Sequence, residues 1–389
     1  MVDQLFFTIK FVGVNAGLSD MLVRLYSMYR VGKVLSYTYI HTPFICKRSY
    51  PLNYIDRIVK KIIGDKIYQP LSKFIGLEKS DLNIFDKDFL HHNIVELNIE
   101  DILENEHISS ISDLKNIIES NKHKTEPTIY SFLTTGNFYK FDTQSKINNL
   151  LQDTVSIEDI RNLVTKRYWQ ARERWPISIP FDETKTKILI HVRRGDRACI
   201  NLGERVICLH GNKVAIANDV DDIVEQAKEL LGTENFKRPS AASKIALILQ
   251  KIFDTHGESN FSIIIVSDGY DRTFKVIKSN INKGYLNLSK SELNQLAIAK
   301  KVCRKEFLGL SAERNVSTII GESKINFFKS VHVIASADVV IKTSGGFASV
   351  LHKFFKKSDL PPIVIDTEQY DPQSFQQVLN DIGQLINKN

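Results

Sequence analysis

Five short apolar runs in the second half of the chain limit its fold more than any other feature. They are "KILIHV" (187–192), "FSIIIVS" (261–267), "VSTII" (316–320), "DVVIK" (338–342) and "PPIVID" (361–366). Within each, the core residues follow one another without strict polar alternation, the pattern of strands covered on both faces. Between them lie segments with helical spacing, including "SKIALILQKIF", "LNQLAIAKKVCRKEF", "INFFKSVHVIAS" and "FASVLHKFF". Strand and helix in alternation predict a parallel sheet with helices on both faces.

The start of the chain repeats the theme. "LFFTIKFVG" predicts a strand, "VNAGLS" a loop, Asp20–Val31 a helix and "VLSYTYI" a second strand ending at His41. Between residues 50 and 175 the pattern is less regular. "NYIDRIVKKII" and "ISDLKNIIES" predict helices, and "HNIVELNI" and "PTIYSFL" strands. A long helix from Ile157 to Trp175 stops before Pro176, with Pro180 beyond, and prolines there cannot continue a helix. The expected organisation is α/β, with two Rossmann-like domains, 1–180 and 181–389, whose parallel sheets face across a cleft.

Composition narrows the setting. The 389 residues are 43% hydrophobic and 25% charged, the balance of a globular protein with room for two cores. No run of about 18 apolar residues predicts a membrane span. The first residues lack a basic start, and Thr8 and Lys10 interrupt their apolar run, so no secretory signal is expected. The four cysteines, Cys46, Cys199, Cys208 and Cys303, form no CxxC pair, which predicts thiols in a reducing, cytoplasmic setting. Cys199, Cys208 and His210 lack a fourth partner for a metal. The triplets Asp86-Lys87-Asp88 and Asp219-Val220-Asp221 read as loop and cap residues. The net charge of +7 is spread, without a basic block, so a nucleic-acid partner is not expected. That charge suits anionic ligands and peripheral contact with an anionic membrane.

In parallel α/β sheets, ligands bind at the carboxyl ends of the strands. Three of those ends carry polar groups. In "ILIHVRRGDRA", His191, Arg193, Arg194 and Asp196 close a core strand, and paired arginines can clamp a phosphate. In "IIIVSDGYD", Asp268 offers a carboxylate for a base or a ribose, although Asp-Gly is also an ordinary turn. In "DVVIKTSGGFASVL", Thr343, Ser344, Gly345 and Gly346 precede a helix opening at Phe347. Backbone N–H groups at such a helix start favour a phosphate, and the same residues also read as a capped strand-to-helix turn. Together the three ends supply cations, a carboxylate and a glycine-hydroxyl turn, an inventory for a nucleoside diphosphate.

These motifs resemble a known family. "HVRRGD", "IIIVSDG" and "ADVVIKTSGGFASVL" are similar, in order and spacing, to three motifs of the GDP-fucose-dependent fucosyltransferases, the α1,2-, α1,6- and protein O-fucosyltransferases. "VNAGLSDMLVRLYSMYRVGKVL" resembles the loop and helix that open the same enzymes, placing Asn15 and Gly17 among the donor-binding residues. The resemblance covers residues 188–355 and about the first forty. Arg197 stands where the α1,2 branch usually has an aromatic, and Gly345-Gly346 where many members have serines.

The resemblance implies a GT-B architecture and an inverting, metal-independent transfer of fucose from GDP-fucose, without a cofactor. It implies that His191 and Asp268 contact guanine and that Arg193 binds the β-phosphate, supported by Arg194. Thr343 to Phe347 would hold the pyrophosphate from the other side. Catalysis would rest on Arg193 and Arg194, with His191, Asp196 and Asp268 as further donor-binding residues. The acceptor would be a hydroxyl of a glycan, a lipid-linked sugar or a protein. Asp20, His41 and Glu322 are the candidates for a general base, although a strongly dissociative transition state needs none. The alternatives are a GT-B transferase using another nucleotide sugar, or a non-catalytic nucleotide- or nucleic-acid-binding protein of this fold.

Overall fold

The computed structural model describes residues 5–11, 17–42, 69–77, 91–105, 108–121, 127–134, 147–151, 157–218, 223–232, 242–311, 316–321, 324–357 and 362–387. The chain divides into two compact units. One comprises Met1–Ile177 with Lys353–Lys357, the other Ser178–His352 with Ser358–Asn389.

The first unit is built on a four-stranded parallel sheet. Its strands are β1 (Phe6–Phe11), β2 (Thr38–Tyr39), β3 (Asn93–Asn98) and β4 (Thr128–Thr134), in the order β2-β1-β4-β3. The first helix, α1, runs over Leu18–Val34, two residues earlier and three residues later than its apolar spacing predicts, which leaves β2 only two residues. Close packing explains the fit of α1 on the sheet. A Cβ at Gly32 would lie 2.3 Å from the ring of Phe7, so only glycine lets the helix rest on β1. Phe7 in turn stacks on Phe132 of β4, centroids 5.4 Å apart. The unit also contains α2 (Gln69–Phe74), α3 (Ile99–Asn105), α4 (Ile111–Ser120) and α5 (Ile157–Arg174). The helix expected at "NYIDRIVKKII" lies outside the described residues.

The second unit carries a five-stranded sheet. Its strands are β5 (Thr186–Val192), β9 (Phe261–Ser267), β10 (Val316–Ile320), β11 (Val339–Lys342) and β12 (Ile363–Asp366). They are ordered β10-β9-β5-β11-β12, and every pairing is parallel. The apolar runs become these strands because both faces are covered. On one face Ile188, Ile190, Val192, Ile263, Ile265, Val339 and Ile341 pack under α7 (Ala242–His256) and α12 (Phe375–Ile386). On the other, Leu189, Ile264 and Val340 are fully buried, and α10 (Lys324–Ser336) lies against β5. The remaining helices of this unit are α6 (Ile223–Leu231), α8 (Asp271–Asn282) and α9 (Lys290–Ser311), together with α11 (Phe347–Phe355), whose end from Lys353 onward belongs to the first unit.

One element departs from the α/β alternation. Directly after β5 the chain forms an antiparallel meander of β6 (Arg197–Asn201), β7 (Val206–His210) and β8 (Lys213–Ala217). One face of the meander packs on α8 and α9 through Ala198, Ile200 and Ile207, and the other on α6 through Val206, Cys208 and Ala217. It has its own two small cores and so folds as a lobe on the main sheet.

Ile265, fully buried in the middle of β9, tests the role of this sheet. Ile265→Ala is expected to cost about 2–5 kcal/mol in urea unfolding. Ile298→Ala, on the exposed side of α9, is expected to cost under about 0.5 kcal/mol. Equal costs would mean that the sheet does not form the core of the unit.

Candidate functional site

The strand order locates the site. Of the five strands, β5 comes first in sequence and sits in the centre of the sheet, with β9 and β10 on one side and β11 and β12 on the other. The chain therefore builds outward in one direction from β5, then returns and builds in the other. At such a reversal the connections leave the sheet toward opposite faces, and a crevice opens beyond the carboxyl ends of the two strands. Here those ends are His191-Val192-Arg193 of β5 and Lys342-Thr343-Ser344 of β11. His191 pairs in register with Lys342 on one side and Val266 on the other.

Hydrogen bonds fasten the two ends together. The Thr343 N–H donates to the His191 carbonyl at 3.1 Å, and the Arg193 N–H donates to Thr343 Oγ1 at 3.1 Å. The Arg193 guanidinium is aimed by a fork-to-fork pair, Nε to Asp196 Oδ1 at 2.6 Å and Nη2 to Oδ2 at 2.7 Å. Burial acts to raise the pKa of Asp196, but the hydrogen bonds and charge of Arg193 outweigh it and hold the carboxyl below its ordinary value. Gly345 completes the seat. It has φ +75°, and a Cβ there would lie 2.4 Å from Arg193 Nη1, so the guanidinium lies against bare backbone.

The structure sends the second arginine elsewhere. Arg194 Nη2 donates to Glu306 Oε1 at 2.9 Å, and Nε to Tyr270 Oη at 2.9 Å and Glu306 Oε2 at 3.2 Å. Its guanidinium is buried against α9 and is not set beside that of Arg193. Asp268 also works on the turn itself. Its carboxylate accepts the backbone N–H groups of Arg194, at 2.7 Å, and of Gly195. Burial pushes its pKa up to about 6, against those same hydrogen bonds.

Near Arg193, the buried atoms His191 Nδ1, Ser344 Oγ and Arg197 Nε have no hydrogen-bond partner among the described residues. His191 is 6% exposed and Ser344 1%. An unsatisfied buried polar group costs about 1–3 kcal/mol, and native proteins keep few of them. The His191 ring lies against Phe347, centroids 5.6 Å apart, and Phe347 against Phe327 of α10 at 6.2 Å. Burial, with the charges of Arg193 and Lys342, lowers the His191 pKa to about 3, so the imidazole is neutral. Lys342 is itself ion-paired to Asp366.

Arg197, which opens β6, is a further candidate beyond the motif residues. Burial and the neighbouring charge of Arg193 lower its pKa, opposed by Glu368 and Asp196. Two guanidinium groups that repel one another are thus held beside the same reversal. The signal in the sequence was its place, one residue after the Asp196 that orients Arg193.

The remaining expectations fall in the first unit or outside the described residues. Gly17 caps α1 in extended conformation, and a side chain there would meet nothing within 4 Å. Asp20 lies in the first turn of α1. His41 follows β2, fully buried, with Nδ1 and Tyr39 Oη 2.9 Å apart, and burial lowers its pKa to about 3. Asn15, Glu322, Cys46 and both Asp-x-Asp triplets lie outside the described residues.

No family model matches the chain, and no curated protein matches it. Among solved structures, it is similar to a mutant of Arabidopsis thaliana FUT1 in complex with GDP. That similarity has 10% identity and a TM-score of 0.32, over 90% of this chain and 69% of the other. It is also similar to the NodZ alpha-1,6-fucosyltransferase soaked with GDP-fucose. Here the identity is 10% and the TM-score 0.30, over 90% of this chain and 93% of the other.

Two outcomes follow from the site geometry. The unfolded chain binds a proton on His191 near pH 6.5, whereas the folded chain refuses it until about pH 3. Its contribution to stability is therefore complete above pH 6.5 and lost as pH falls toward 3. His191→Gln is expected to flatten the fall in unfolding free energy between pH 7 and 5 by up to about 1.4 kcal/mol per pH unit. Urea titrations at the two pH values measure it, and an unchanged slope would refute the buried neutral imidazole. Gly345→Ala is expected to cost about 1–2 kcal/mol from the left-handed backbone alone, whereas Gly346→Ala, whose Cβ would meet Val350 at an ordinary 3.6 Å, should cost less. Thermal unfolding of the two variants compares them.

Proposed function

We propose that the second unit binds the diphosphate of a nucleotide sugar and that the chain is an inverting glycosyltransferase. The observation that carries this reading is the pair of buried atoms His191 Nδ1 and Ser344 Oγ, without hydrogen-bond partners among the described residues, at the strand ends where Arg193 is held. A diphosphate at the reversal would meet the Arg193 and Arg197 cations. It would also meet the Ser344 hydroxyl and the N–H groups that open α11, where the helix dipole favours negative charge. We assign fucose as the sugar and GDP as the carrier on the resemblance of "HVRRGD", "IIIVSDG" and "ADVVIKTSGGFASVL".

The chemistry needs what these residues supply. The bond between the anomeric carbon and the β-phosphate oxygen breaks, and its electron pair stays on the departing diphosphate. An acceptor hydroxyl of a glycan, a lipid-linked sugar or a protein attacks the opposite face, and its proton passes to solvent or to the departing diphosphate. Negative charge grows on the phosphate as the bond lengthens, and a cation already aimed there lowers the barrier without reorganising. Asp196 fixes the aim of Arg193, and Asp268 fixes the backbone of the turn. Arg194, committed to Glu306, is a positioning residue in this reading. Residues 181–389 hold the donor and residues 1–180 meet the acceptor, with no metal and no nucleic acid in the reaction.

Titration calorimetry with GDP, UDP and ADP tests the donor site. GDP is expected to bind most tightly. Arg193→Ala and Arg197→Met are each expected to weaken it at least about tenfold, or 1.4 kcal/mol. If no nucleoside diphosphate binds to the folded wild-type chain, the reading is wrong. Tighter binding of UDP or ADP would keep the site and replace the donor.

A further inference from the structure

The meander beside the site holds two cysteines in a geometry that the proposed transfer does not use. Cys199 of β6 and Cys208 of β7 are directly opposed in register. The hydrogen bonds fix which kind of pair this is. The Leu202 N–H donates to the Arg205 carbonyl at 2.8 Å, and the Gly211 N–H to the Asp196 carbonyl at 2.8 Å. Bonded and non-bonded pairs alternate along an antiparallel ladder. With 196:211 and 202:205 bonded, 199:208 falls on a non-bonded position. At such positions the Cα atoms approach to about 4.5 Å, within the span a disulfide bridges. The two sulfurs are 3.7 Å apart.

Their surroundings differ in a useful way. Cys208 is fully buried beneath α6, among Val206, Ala215, Ala217 and Ala227, whereas Cys199 at the rim of that cluster is partly exposed. Cys303 packs on the opposite face of the meander, with Ala198, Ile200 and Ile207, so the sheet itself separates it from the pair.

We propose that Cys199 and Cys208 form a reversible disulfide site, closed by an oxidant of the peroxide class. The Cys199 thiolate attacks one peroxide oxygen. The O–O bond breaks, and Cys199 becomes a sulfenic acid while hydroxide departs and takes up a proton as water. The Cys208 sulfur, already in contact, attacks the Cys199 sulfur. The S–S bond forms, the S–O bond breaks, and the departing hydroxide leaves as water with the Cys208 proton. Two thiols and one peroxide become one disulfide and two waters, so two electrons pass from sulfur to oxygen. The sulfurs need to close from 3.7 Å to about 2.0 Å, which rotation about the two Cα–Cβ bonds can supply within the fixed ladder. The bond would fasten the hairpin three residues beyond Asp196, the partner of Arg193, and two beyond Arg197. This inference stands on the ladder geometry and is independent of the donor reading.

The test is made on the full chain. The protein is exposed to hydrogen peroxide, the remaining thiols are alkylated, and the peptides are analysed by mass with and without prior reduction by dithiothreitol. The expected result is a linked peptide joining Cys199 to Cys208, the loss of two alkylatable thiols, and their return on reduction. Cys208→Ala is expected to leave a sulfenic acid on Cys199 that dimedone traps. Cys199→Ser is expected to leave Cys208 alkylatable after unfolding. A link from either cysteine to Cys46 or Cys303, or overoxidation of Cys199 in the wild type without a link, would overturn the proposal. Circular dichroism of each variant confirms that it is folded, and the wild-type link alone decides the matter where a variant is not.

Discussion

The turn Arg193-Arg194-Gly195-Asp196 is where this molecule depends most on one arrangement, because two carboxylates hold it from two sides. Asp268, from the end of the neighbouring strand, accepts the backbone N–H groups of Arg194 and Gly195. Asp196, from within the turn, takes the Arg193 guanidinium in a fork. The Thr343 hydroxyl then accepts the Arg193 N–H and ties the turn to β11. Remove any of these and the cation at the strand reversal loses its direction, even though the sheet beneath would remain.

The cost of this arrangement is charge and polarity taken out of water. Arg194 lies buried against Glu306, and burying an ion pair rarely adds net stability, since desolvation offsets the attraction. Its value is geometric. With Tyr270 it fixes the turn to α9, and Thr273 Oγ1 accepts no less strict a role by donating to the Arg194 carbonyl at 2.6 Å. Among the described residues, His191, Ser344 and Arg197 each keep a buried polar atom without a hydrogen-bond partner inside the same region. Under the proposed function, these are the groups that a bound diphosphate would meet.

Much of the second unit was legible from residue order. The apolar runs at 187–192, 261–267 and 338–342 are strands β5, β9 and β11, and the helix after Gly346 begins at Phe347. These succeed because a strand buried on both faces needs an uninterrupted apolar run, and that need is local. The meander of 197–217 was not legible in the same way. "RACINLGERVICLHGNKVAIA" alternates weakly, since each of its faces packs on a different helix cluster. Its turns at Gly203 and Gly211, both with positive φ, were the available signal. In the first half the strand expected at "VLSYTYI" is only the two-residue β2, because helix α1 continues to Val34.

The sequence by itself determined that the chain is α/β with parallel sheets, and that charged and hydroxyl residues gather at three strand ends. Periodicity and strand chemistry are properties of neighbouring residues, so a single chain displays them. The tertiary structure decided which polar groups meet. It set Asp196 on Arg193, turned Arg194 away to Glu306, and gave Asp268 to the backbone of the turn. It also brought Arg197 within electrostatic reach of Arg193, and Cys199 against Cys208. Those pairings depend on the order of strands in the sheet and on where α9 and the meander pack, and adjacency in the sequence contains neither.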